Sequence, residues 1–128
     1  MSPEHESGQG IIVAVEDMFF AAKISGAGSL VGALITRVKS AKELIAHIEH
    51  GPPRLIIIDL NFNNLDPIPT IKYLKSRADL KAVPTIGFVS HVQVDLINAA
   101  EQAGCDHVMP RSAFSRRLPE LLSEPLKP

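Results

Sequence analysis

Short apolar runs alternate along the chain with longer stretches in which apolar residues recur every three or four positions. Ile11 to Val15 is continuously apolar, as a parallel strand covered on both faces must be. Leu55 to Leu60 and Val83 to Val89 read the same way, and shorter strands are expected at Ala33 to Val38 and His107 to Met109. Met18 to Val31 carries Phe20, Ile24, Ala27 and Val31 at helical spacing, with Gly32 as its stop. Ser40-Ala41-Lys42-Glu43 is a capping box, opening a helix that buries Leu44, Ile45 and Ile48 and ends at Gly51-Pro52. Asp66-Pro67 reads as an N-cap with proline at the first helical position, leading through Ile71 and Leu74. A helix over Val92 to Ala103 stops at Gly104, and Ser112 is expected to cap a last helix that buries Phe114, Leu118, Leu121 and Leu122.

Strands alternating with helices predict an α/β fold, a doubly wound parallel sheet with helices on both faces. Crossovers between parallel strands are right-handed, so covering both faces requires the strand order to reverse once. The expected architecture is flavodoxin-like (βα)5 with strand order 2-1-3-4-5, and ligands bind outside the carboxyl ends of the strands at the reversal. One domain is expected over residues 10–123, with polar, disordered tails at 1–9 and 124–128.

Charge and composition narrow the class. Thirteen basic residues face 14 acidic ones, a net charge of −1, which disfavours nucleic acid as a partner. The single cysteine, Cys105, excludes an internal disulfide framework and fits a reducing cytoplasm. No apolar run reaches membrane-spanning length and the acidic start is no signal peptide, so a cytoplasmic protein that engages no membrane is expected.

The carboxyl ends of the expected strands carry the chemistry. The first ends in Glu16-Asp17, the third in Asp59, the fourth in Ser90-His91 and the fifth in Pro110-Arg111. Three carboxylates gathered at one rim repel unless a cation joins them or one takes a proton. A hard divalent ion such as Mg²⁺ resolves this, and a neighbouring Asp then becomes a candidate phosphoryl acceptor. Blander roles compete at each position. Glu16 and Asp17 also suit a helix start, and Ser90 with Gln93 three residues on also suits an N-cap. Arg111 also suits an exposed surface. His47 and His50 lie three apart with no further ligand at matching spacing, and Gly26-Ala27-Gly28 lies too far beyond the first strand to cradle a dinucleotide. Those glycines are read as helix-weakening or as allowing close packing.

The chain resembles the receiver domains of bacterial two-component response regulators over nearly its whole length. The resemblance rests on Glu16-Asp17, Asp59, the Asn-Asn-Leu-Asp-Pro loop, Ser90, the segment Ala103-Gly104-Cys105-Asp106 and a basic residue after the fifth strand. It implies a non-enzymatic phosphorelay module, with Mg²⁺ held by Glu16, Asp17, Asp59 and the Asn61 backbone. It further implies that Asp59 accepts a phosphoryl group from a histidine kinase or phosphotransfer protein, with Ser90 and Arg111 binding the phosphoryl oxygens. Output would pass to a downstream protein target, or to a second copy in a homodimer, through the face of the last two helices. Four departures motivate an alternative, a phosphorylation-independent pseudo-receiver acting as an interaction module. Arg111 replaces the family's Lys, Ser112 its following proline, His91 a small residue and Val108 a switch aromatic. Arg111, a fork rather than a point charge, is expected to pair with phosphate or to lock onto Asp59. No output domain is expected after the last helix. A flavin-dependent electron carrier on the same topology is disfavoured, because Glu16-Asp17 would repel a flavin phosphate.

Overall fold

The computed structural model describes residues 10–123, so both expected tails lie outside the described residues. Five parallel strands form one sheet: β1 (Ile11–Ala14), β2 (Ile35–Val38), β3 (Leu55–Asp59), β4 (Thr85–Val89) and β5 (His107–Pro110). Their order is β2-β1-β3-β4-β5, the predicted doubly wound topology. The helices are α1 (Met18–Leu30), α2 (Ala41–Ile48), α3 (Pro67–Ser76), α4 (Val94–Ala103), α5 (Arg111–Arg116) and α6 (Leu118–Ser123), with a short 3-10 turn at Asn63–Leu65.

The continuous apolar runs serve two cores at once, because successive strand side chains point to opposite faces. Ile11, Val13, Leu55, Ile57, Ile86 and Phe88 pack beneath α1, α5 and α6. Ile12, Ala14, Ile56, Ile58 and Val89 pack beneath α2, α3 and α4. Gly28 of α1 sits close against β2: a Cβ there would meet Ile35 Cγ1 at 2.7 Å. Close packing, one of the two roles expected of these glycines, thus applies to Gly28, whereas Gly26 faces open space.

The helix ends repay comparison with expectation. Ser40 caps α2 by accepting from the Glu43 N–H at 3.0 Å, while the Glu43 carboxylate reaches back to the Lys39 N–H. Pro67 does open α3, yet Asp66 is left-handed (φ 59°) and its side chain makes no cap; its carbonyl instead accepts from the Thr70 hydroxyl at 2.9 Å. The helix expected from Val92 starts at Val94, with Gln93 as the capping residue, so Ser90 is not its N-cap. Nor does Ser112 cap the last helix: α5 begins at Arg111 immediately after β5, with Pro110 in the cap position. That last helix is broken at Arg117 into α5 and α6, because Pro119 has no N–H to donate and its ring would clash with the preceding turn. All four expected apolar residues, Phe114, Leu118, Leu121 and Leu122, are nonetheless buried.

Candidate functional site

Register brings the strand ends level. Ala14 pairs with Ile58, Asp59 with Phe88, and Val89 with Pro110. The residues that follow β1, β4 and β5 therefore lie at the same end of the sheet as Asp59, the last residue of the central strand.

Asp59 is buried, with 8% of its surface exposed. Its Oδ1 accepts from the Asn61 N–H at 2.9 Å, and the Glu16 N–H lies near enough to favour the charged form of the same carboxylate. Burial pushes the Asp59 carboxyl above its ordinary range, against the pull of those two N–H groups and the nearby charge of Arg111. Glu16 lies close enough to add repulsion.

Asp17 is the N-cap of α1. Its Oδ1 accepts from the N–H groups of Phe19 (2.8 Å) and Phe20 (3.2 Å). Its Oδ2 accepts from Arg111 Nη2 at 2.9 Å. The Arg111 hydrogen bond, followed by that of the Phe20 N–H, holds the Asp17 carboxyl below the usual carboxylate range. Arg111 therefore pairs with Asp17, and the expectation that it locks onto Asp59 is corrected: Asp59 feels it only through space. The reason is where the guanidinium rests. Its carbon lies 3.9 Å from the centroid of the Phe20 ring, and α1 presents Phe20 beside Asp17.

The remaining expected site residues are also at this rim. The Asn61 side chain bridges two loops: its Oδ1 accepts from the Ser90 N–H at 2.9 Å and its Nδ2 donates to Gln93 Oε1 at 2.8 Å. Ser90 is thereby tethered next to Asp59 while its side chain stays exposed. His91 is exposed to solvent, and Val108 packs against the core beneath α3 and α4. His47 and His50 lie on the far side, lining a cavity of about 170 Å³ with Gly10 and Pro53.

Sequence reasoning missed two participants. Arg37 on β2 donates to the carbonyl oxygens of Val15 (3.1 Å) and Glu16 (2.8 Å), clamping the turn that delivers the acidic pair. Its signal was a lone charge in a strand that flanks β1. Phe20 was read as a core residue; that it also seats a cation depends on side-chain reach that no spacing encodes.

The donor set has the chemistry that Mg²⁺ requires: the ion takes one or two carboxylates, keeps several waters and prefers hard oxygens. The Asp17 and Asp59 carboxylates and the Asn61 carbonyl meet that description. Among the described residues no group of three or more His, Cys, Asp or Glu side chains stands ready as a metal cage, and Arg111 already engages Asp17.

No family model matches the chain, and no curated protein matches it in sequence. Solved structures match in shape. A response regulator from Hahella chejuensis superposes with a TM-score of 0.81 at 15% identity, over 90% of this chain and 92% of that one. The phosphorylated cyanobacterial phytochrome response regulator RcpA gives 0.76 at 19% identity, covering 90% of this chain and 89% of that one. The Mn²⁺-bound form of response regulator Rcp1 gives 0.78 at 14% identity, over 94% and 99% respectively. The chain has the fold of response-regulator receivers.

Proposed function

We propose that the protein is a receiver module of a two-component phosphorelay, with Asp59 as the phosphoryl acceptor. The observation that carries this reading is the setting of Asp59: a carboxylate buried at the end of the central strand, oriented by the Asn61 N–H, with Glu16 and the Arg111 charge near enough to act on it. A desolvated carboxylate is more basic than one in water, hence a better nucleophile. The oxygen of Asp59 that attacks forms a bond to phosphorus as the bond to the donor's nitrogen or oxygen breaks. The leaving atom takes that electron pair and then a proton from solvent. Asp17, Asp59, Glu16 and the Asn61 carbonyl are the oxygens that would hold Mg²⁺, whose charge offsets that of the incoming phosphoryl group. Ser90 and Arg111, which follow β4 and β5 at this end of the sheet, are the donors that would bind its oxygens. The phosphoryl source is a histidine kinase or a phosphotransfer protein, and the output is a change in which protein partner is bound. No helix among the described residues is long and apolar enough to cross a membrane.

The test is intact mass after incubation with a small phosphodonor and Mg²⁺. A phosphoryl adduct is expected on the wild type and absent from Asp59→Asn. A specific observation favours the pseudo-receiver as the second reading: Arg111 is already engaged by the Asp17 carboxylate and by the Phe20 ring. Absence of an adduct on the wild type, with a folded protein, selects that reading.

A further inference from the structure

We propose that Arg111 and a divalent cation exclude one another at Asp17, and that Phe20 is the positioning residue that sets the balance by seating the guanidinium there. The inference rests on the site assigned above. Asp17 has two oxygens and α1 claims one of them, since Oδ1 caps the Phe19 and Phe20 N–H groups. Oδ2 is the oxygen that the helix leaves over, and Arg111 Nη2 lies on it at 2.9 Å. A metal ion on the same oxygen would stand directly against a guanidinium, so uptake requires Arg111 to withdraw. Withdrawal is opposed by the ring beneath it. Arg111 lies 3.9 Å over Phe20, whose ring is itself wedged edge-on against Phe88 at 5.2 Å and tilted against Phe114 at 5.9 Å. The backbone of Arg111 cannot follow the metal either, because β5 runs straight into α5 with no intervening loop. Only the side chain moves. The pair is one-third to two-fifths exposed, so exchange with solvent ions needs no unfolding. A lysine in the same place would lack the flat face that stacks on an aromatic ring. This substitution therefore biases the site towards its metal-free form, and the guanidinium displaced by metal is released next to Asp59, where a phosphoryl group would arrive.

Metal affinity, read without any phosphoryl chemistry, tests this. Titrate the full chain with Mg²⁺ by calorimetry, and with Mn²⁺ by following the free ion's paramagnetic resonance. Arg111→Gln should bind metal about ten-fold tighter than the wild type, the scale of one exposed ion pair plus one stacked cation. Phe20→Leu, which keeps an apolar side chain in the core, should bind about three-fold tighter. Arg111→Lys, which also guards against a folding defect in the Gln variant, should fall between wild type and Gln. Asp17→Asn should abolish binding in each background. The proposal is overturned if Arg111→Gln binds no tighter than the wild type, or if no variant binds metal at all. Its failure is separable from that of the proposed function. An adduct on Asp59 with unchanged metal affinities sinks the exclusion alone. Tighter metal binding without any adduct sinks the phosphoacceptor reading alone.

Discussion

The two ends of the sheet use the same residue types to opposite effect. At the amino end, Lys75 of α3 donates to Asp106 Oδ2 (2.6 Å), to the Val83 carbonyl (2.9 Å) and to the Lys81 carbonyl (3.1 Å). The same Asp106 oxygen accepts from the Thr85 N–H and hydroxyl, and the Thr85 hydroxyl accepts from the Asp106 N–H at 3.0 Å. One cation meets one anion, both side chains are nearly covered, at 13% and 12% exposure, and each has several hydrogen bonds. At the carboxyl end Asp59 closes the central strand with Glu16 near enough to repel it, and Asp17 caps α1 at the same end of the sheet. Arg111 answers only Asp17, and Arg37 gives its bonds to carbonyl oxygens instead of carboxylates. A balanced, enclosed pair fastens α3 to the starts of β4 and β5. An unbalanced, half-open cluster leaves negative charge for something else to meet. The first arrangement is one of stability, and the second is the one on which the proposed function rests.

That contrast can be broken most forcefully at the balanced end. Lys75→Ala leaves Asp106 and two carbonyls without their shared donor in a nearly covered site. The expected loss is about 3 kcal/mol of folding free energy, read from the midpoint of urea unfolding. Phosphorylation and metal binding per folded molecule should be unchanged. A stability loss below about 0.5 kcal/mol would mean that the enclosed pair contributes no more than an exposed one.

How much of this was legible in the sequence follows the same division. The sheet order and the three acidic positions were readable, because Leu55-Ile56-Ile57-Ile58 before Asp59 and Ile11 to Val15 before Glu16-Asp17 are local patterns with a fixed topological meaning. Pairings between side chains remote in sequence were not. Arg111 and Asp17 are 94 residues apart, Lys75 and Asp106 are 31 apart, and nothing in the spacing says which partner a long side chain will choose. The capping errors have a different cause. Ser90, Asp66 and Ser112 all have residue types that cap helices, but the Asn61 bridge holds the Ser90 loop, a left-handed backbone turns Asp66 aside, and Pro110 puts Ser112 inside the helix. The break before α6 was available in Pro119, whose effect on a helix interior is a local rule.

The comparison is sharpened at the crowded end by Asp59→Asn. Burial raises the folded-state pKa of Asp59, so the native state holds its proton more firmly than the unfolded chain does. Its contribution to stability is therefore fully present below the unfolded value of about 3.8 and is lost as pH rises through the higher folded value. At neutral pH the buried charge is a burden, and the neutral amide should stabilise the protein by about 1 kcal/mol in thermal or urea unfolding while abolishing the phosphoryl adduct. The gain should shrink as pH is lowered towards 4. Destabilisation at neutral pH would show that the Asn61 and Glu16 N–H groups and Arg111 outweigh the cost of burial.

The smallest effect is expected at Asp17, and its sign is reversed. Arg111 and the α1 N–H groups lower its folded-state pKa, so its contribution is present above the unfolded value near 3.8 and is lost as pH falls through the folded one. Asp17→Asn should thus destabilise slightly at neutral pH and not at all in strong acid. Because the pair is partly exposed, added salt should erase most of the difference. Urea midpoints of Asp17→Asn and Asp59→Asn across pH 3 to 8 would place opposite slopes on two carboxylates of one rim. Slopes of the same sign would mean that both answer to the same influence, and that Arg111 does not distinguish between them.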